Sequence, residues 1–214
     1  MSSFDPLDPT PPVPATSPGD RLTRSLGDSL RTALTVIGGI VAVLWIVEAI
    51  DTVDKHRLDA WGVRPHTLVG LRGIAFAPFL HSGFTHLIGN TVPFALFGLV
   101  VLTGGIRRFV AVSVIVAVTS GAGTWLLGQS DQVHIGASGV VFGYLGYLVS
   151  RGFFERKLAQ IAAGILVALV YGGMIWGILP NQRGVSWQGH LFGLLGGVLA
   201  ARILAPSAKQ VTPD

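Results

Sequence analysis

Half of the 214 residues are hydrophobic and 12% are charged, against about 25% charged in an ordinary soluble domain. That balance, with several long apolar runs, excludes a soluble globular enzyme and points to an integral membrane protein. The absence of cysteine excludes disulfides, thiolate nucleophiles and cysteine-based metal sites, and the net charge of +4 comes from basic residues in short connections, where they set topology rather than bind nucleic acid.

In chain order, residues 1–30 read as a Pro-rich tail. Six of the twelve prolines (Pro6, Pro9, Pro11, Pro12, Pro14 and Pro18) fall in its first 18 residues. Such a stretch buries too little apolar surface to fold and is expected to be disordered. Arg21, Arg24 and Arg31 then lead into an apolar run. It starts late and runs long for a signal peptide, so a retained first helix is expected. Six spans of bilayer length follow, at about 33–50, 84–103, 107–128, 133–150, 158–179 and 187–205. The connection 51–83 is long and carries Trp61, Pro65 and Pro78; it has room for a short interfacial helix. Residues 31–206 form one six-span domain, and 207–214 a short tail.

Basic residues orient the bundle. With the N-terminus inside, the inner segments hold ten of the fifteen lysines and arginines and the outer segments five. Both termini are therefore expected in the cytoplasm. Spans two, four and six then all begin at the outer face. His81, His86 and Asn90 open the second, Ser138 the fourth and His190 the sixth, so these polar residues share one depth.

Polar and ionisable groups inside a span are costly and suggest function. The fourth span reads Gly136-Ala137-Ser138-Gly139-Val140-Val141-Phe142-Gly143. Its glycines leave one helical face nearly bare, as at packed transmembrane helices, where serine also occurs as a small residue; the other reading of Ser138 is a nucleophile. The sixth span reads Gly189-His190-Leu191-Phe192-Gly193-Leu194-Leu195-Gly196-Gly197. His190 is either a polar clamp between helices or the base that activates Ser138 across two glycine-lined faces. No carboxylate lies deep in a span: Glu48 sits near the outer end of the first and Asp131 in the loop before Ser138. A dyad is the simpler arrangement, and aspartyl proteolysis or a carboxylate proton relay is disfavoured. His86 and Asn90, four residues apart, share a helix face and both donate hydrogen bonds. With the Ser138 backbone N–H they form a candidate oxyanion hole. A metal reading of His81, His86 and Asn90 lacks the two-His-plus-Glu spacing, and no metal or cofactor is expected.

Three motifs in order, His81-x4-His86-x3-Asn90, Gly136-x-Ser138-Gly139 and Gly189-His190-x2-Gly193-x3-Gly197, resemble those of the rhomboid intramembrane serine proteases, in the basic six-span bacterial type. The resemblance covers spans two to six. It implies an all-α six-helix membrane bundle, with Ser138 as nucleophile and His190 as general base. His86, Asn90 and the Ser138 backbone would line the oxyanion hole, supported by His81, Gly136, Gly139 and Phe142. It further implies transmembrane protein substrates with small residues at the cut, a lipid bilayer setting in the cytoplasmic membrane, and no nucleic-acid partner. The chain departs from the family where Leu71-Arg72 replaces a common Trp-Arg pair and where Phe142 replaces a common Tyr. Arg107-Arg108 also stands near where some members carry a structural Glu. A rhomboid-like protein that binds transmembrane helices without cutting them is the alternative; a channel or transporter fits poorly without buried carboxylates or a repeat.

Overall fold

A computed structural model describes residues 28–180 and 184–206. The Pro-rich tail before residue 28 and the C-terminal tail lie outside the described residues. Among the described residues the regular elements are all helical: α1 (Asp28–Val53), α2 (Val69–Phe79), α3 (Phe84–Leu102), α4 (Ile106–Leu127), α5 (Ser138–Glu155), α6 (Leu158–Tyr171, continued as a 3-10 run over Gly172–Ile178) and α7 (Trp187–Ile203). Helix α1 begins at Asp28 and so takes in the last residues of the expected tail. The short α2 fills part of the connection in which a short helix was expected.

Among the described residues, four helices are long and apolar enough to cross a membrane: α1, α3, α4 and α6 with its 3-10 extension. The protein is an integral membrane protein. Helices α5 and α7 have 18 and 17 residues and are richer in glycine and polar groups. Their position explains this. Helix α5 packs against α3, α4, α6 and α7, and α7 packs against both α4 and α5. Most of α5 is buried and so freed from the apolar surface that lipid demands, whereas α7 keeps one exposed apolar face at Leu195, Val198, Leu199 and Ile203; on both, small residues let the neighbours approach.

The α5–α7 seam is built backbone to backbone. A Cβ added at Gly193 would strike the Gly139 carbonyl oxygen, and one at Gly197 would strike that of Gly143. On the other side of α5, Phe94, Phe97, Phe109, Val112, Val116, Tyr144 and Leu145 form the main apolar cluster. Tyr144, inside it, satisfies its hydroxyl on Ser113 Oγ at 2.7 Å.

Helix α5 starts five residues later than the expected span at 133. Residues before it are held as extended chain: His134 and Val63 exchange both backbone hydrogen bonds at 2.9 Å. That bridge satisfies the backbone that a helix would have used. Ser138 is therefore the first residue of α5 rather than one inside it.

At the opposite end of α5, Arg108 Nη1 donates to Glu155 Oε1 at 2.6 Å and Nη2 to the Leu204 carbonyl at 3.0 Å. One guanidinium thus ties α4, α5 and the end of α7. The Glu155 side chain is buried, as are Glu48 and Asp51 on α1. The expectation that the bundle lacks buried carboxylates is thus corrected: these three lie near helix ends, where neighbouring helices cover them.

Candidate active site

The three motifs converge at one end of the bundle. Helices α5 and α7 place Ser138 and His190 at their first turns, and the close α5–α7 seam brings the two side chains together. His190 Nε2 lies 2.8 Å from Ser138 Oγ. The other ring nitrogen, Nδ1, lies 2.9 Å from the Gly177 carbonyl oxygen. A carbonyl only accepts, so Nδ1 carries the proton and Nε2 presents its lone pair to the serine hydroxyl. A backbone carbonyl thus occupies the place that a carboxylate takes in a triad. Gly177 lies in the 3-10 run after α6, and no side-chain signal marked it.

Phe142, one turn after Ser138, stacks on the His190 ring. Behind the seam, Ser120 Oγ donates to the Gly189 carbonyl at 2.8 Å and lies where a Cβ on Gly139 would fall. Ser120, Thr124, Ser186, Ser138 and His190 share the lining of a small cavity of about 40 Å³. This is room for a few waters, with the polar partners they need. Sequence reasoning does not reach Ser120 and Thr124, for which the available signal is polar residues in an apolar run.

The α3 motif lies beside the start of α5. Gly136 has φ +117°, a conformation that side chains rarely adopt. A Cβ there would sit 2.8 Å from both Cε1 and Nε2 of His86 and 3.7 Å from Asn90 Nδ2. The glycine therefore opens the space that these two side chains face. The Ser82 backbone N–H points to His86 Nδ1 at 3.4 Å, with Ser82 Oγ at 3.3 Å. An accepting Nδ1 leaves the proton on Nε2, the atom turned to Gly136. Asn90 spends one N–H on its own helix, at the His86 carbonyl (3.1 Å), and is buried.

His81 lies edge-on to His86, with centroids 5.1 Å apart. Its Nε2 accepts from the Ala137 N–H at 3.4 Å, next to the nucleophile position. Burial, aided by nearby His86, lowers the His81 pKa to about 4, so it is neutral at ordinary pH. All the residues singled out from sequence, Ser138, His190, His86, Asn90, His81, Gly136, Gly139 and Phe142, thus fall in one neighbourhood. Chemically, it holds a hydroxyl on an oriented imidazole and N–H donors around a space left by a glycine.

The sequence matches the family model described as Rhomboid domain over residues 69–207. The chain belongs to the rhomboid family. It is 40% identical to an uncharacterised protein of Mycobacterium tuberculosis (strain ATCC 25618 / H37Rv), over 92% of this chain and 88% of that one. It is 29% identical to a putative rhomboid protease, YdcA, of Bacillus subtilis (strain 168), over 79% of this chain and 87% of the other. With the rhomboid protease GluP of the same organism it shares 30% identity over 71% of this chain and 30% of GluP.

Proposed function

We propose that the chain is an intramembrane serine endopeptidase that cuts transmembrane proteins through a Ser138–His190 dyad. The observation that carries this reading is the 2.8 Å contact from Ser138 Oγ to a His190 ring oriented by the Gly177 carbonyl. In this reading α1, α3, α4, α5, α6 and α7 are six spans of the cytoplasmic membrane. Both termini are cytoplasmic and the site faces the outer side, in keeping with the distribution of basic residues.

His190 Nε2 takes the Ser138 proton as Oγ attacks the scissile carbonyl carbon. The negative charge that forms on the carbonyl oxygen is met by N–H donors of His86, Asn90 and the Ser138 backbone. The imidazolium then returns the proton to the leaving amine, and the acyl-enzyme remains on Ser138. A water activated by His190 releases the second product; the polar cavity beside the dyad offers it a reservoir. A helix hides its scissile carbonyls within its own hydrogen bonds, so the substrate must locally unwind before attack.

The test is fluorophosphonate labelling and cleavage of a model transmembrane substrate in detergent, comparing wild type, Ser138→Ala and His190→Ala. Labelling and cleavage by wild type alone support the reading. Cleavage by Ser138→Ala overturns it, and a folded but inert wild type points to a non-cutting helix binder. His86→Ala or Asn90→Ala should slow cleavage by roughly 10²–10³-fold where either is a main oxyanion donor.

A further inference from the structure

Helix α1 ends in a cluster of acidic groups that the chemistry at Ser138 does not use. Glu48 and Asp51, three residues apart on one face of α1, are each 1% exposed. Asp51 Oδ1 accepts the Leu58 backbone N–H at 2.7 Å. Its Oδ2 is buried without a hydrogen-bond partner and lies 3.6 Å from His56 Nδ1. Asp59 Oδ2 approaches the same Nδ1 at 3.9 Å. One donor atom from each of Asp51, His56 and Asp59 falls within 4.8 Å of the other two.

Glu48 is an independent sign that positive charge belongs here. Both of its carboxylate oxygens are buried and lack a hydrogen-bond partner. The Thr52 side chain and the Gly83 backbone lie near, but neither meets hydrogen-bond geometry, and the charges that act on it are those of His56 and Asp51. It also acts electrostatically on Asp59. Two carboxylates thus stand beside a single imidazole, and a third acts on it electrostatically. The nearby Arg57 pairs with Asp54, outside the group. A buried carboxylate is paired, binds a metal or takes up a proton, and one imidazolium balances at most one of the three.

The backbone is arranged to bring His56 back over the helix end. Lys55 and His56 both adopt left-handed conformations, with φ 57° and 58°, and the His56 N–H bonds the Asp51 carbonyl at 2.8 Å. The Leu58 N–H on Oδ1 orients the Asp51 carboxylate so that Oδ2 is the atom left free. Such support is what a metal-binding carboxylate has around it.

We propose that Asp51, His56 and Asp59 bind a divalent transition-metal ion at this end of α1, with Glu48 adding negative charge behind it. Two carboxylates and an imidazole suit zinc or manganese; calcium and magnesium prefer oxygen alone. Three ligands about 2.0–2.2 Å from one ion lie about 3.3–3.8 Å from one another; the imidazole nitrogen already stands 3.6 Å and 3.9 Å from the two carboxylates, so side-chain rotation that draws the carboxylates together closes the group on an ion. His56 is partly exposed and gives the ion its route from solvent. Once bound, the ion cross-links α1 to the connection leading to α3.

The test uses the full chain in detergent without a histidine tag, stripped with a chelator and titrated separately with zinc and manganese. Metal content and the thermal midpoint are the readouts. One equivalent of either metal should bind and raise the midpoint. His56→Ala, at an exposed position that does not threaten folding, and Asp59→Asn should each weaken binding at least about tenfold, and the double variant should lose it. Binding of neither metal overturns the proposal. So does stoichiometric binding that persists in a folded double variant, which would place the ion on other histidines.

Discussion

The Phe142 ring lies flat against the His190 imidazole, with centroids 4.2 Å apart and planes 9° from parallel. Helix α5 therefore carries both the hydroxyl that meets the imidazole and, one turn on, the wall the ring rests against. Stacking of this kind is worth about 0.5–1.5 kcal/mol beyond burial. If that energy holds the ring in place, Phe142→Ala should lower kcat about tenfold with little change in KM. Phe142→Tyr keeps the face of the ring and should stay close to wild type. Steady-state cleavage of a transmembrane substrate decides it; an unchanged kcat in Phe142→Ala would deny the ring a positioning role.

Gly177 orients His190 from the other side, and its lack of a side chain is what permits the approach. A Cβ there would lie 2.8 Å from Phe142 Cζ and 3.1 Å from His190 Nδ1. Gly177→Ala must displace the carbonyl or the ring, and either loosens the imidazole. The expected result is a fall of about tenfold or more in the rate of fluorophosphonate labelling, with the Gly177→Leu protein inert. Labelling at the wild-type rate in Gly177→Ala would show that the carbonyl contact is dispensable.

These two contacts also mark how far the sequence could be read. Ser138, His190, His86 and Asn90 were visible because polar groups stand out in apolar runs, and glycine spacing hinted that α5 and α7 meet. The Gly177 carbonyl was invisible, since every residue carries one and only the tertiary path of the 3-10 run selects it. Hydropathy does not mark the start of α5, because Val133 and Ile135 are as apolar as a helix would need; the bridge from His134 to Val63 diverts them. Hydropathy marks α1, α3, α4 and α6 most clearly because it reports what lipid sees; α5 is enclosed by protein, and α7 spends its other face on glycines and polar groups against α4 and α5. The cluster of Glu48, Asp51, His56 and Asp59 follows no familiar ligand spacing and depends on two left-handed residues that sequence alone does not announce.

The seam between α5 and α7 should be the part of the bundle least tolerant of added volume. A side chain at Gly193 meets the Gly139 carbonyl oxygen, and Gly139 is the neighbour of the nucleophile. Overpacking a tight interior typically costs about 1–3 kcal/mol. Gly193→Val should therefore lower the thermal midpoint in detergent and separate Ser138 from His190, abolishing labelling. Substitution at the more open Gly89, where a Cβ meets nothing within 4 Å, should change neither. A Gly193→Val protein that labels normally would mean that the helices part without cost.

His81 gives the fold an acid-sensitive point. Its pKa is lowered from the usual 6.5 to about 4, first by burial and then by His86. The folded protein thus keeps the ring neutral while the unfolded chain protonates it below pH 6.5. Between pH 6.5 and 4 the unfolded state binds the extra proton, so this contribution is complete above pH 6.5 and is lost as pH falls toward 4. The gap corresponds to about 3 kcal/mol. A protonated Nε2 also cannot accept the Ala137 N–H beside Ser138. Thermal midpoints measured from pH 7.5 to 4.5 should fall more steeply for wild type than for His81→Gln. The variant should start lower at neutral pH and converge with wild type in acid. Parallel curves would show that His81 is not the group being titrated.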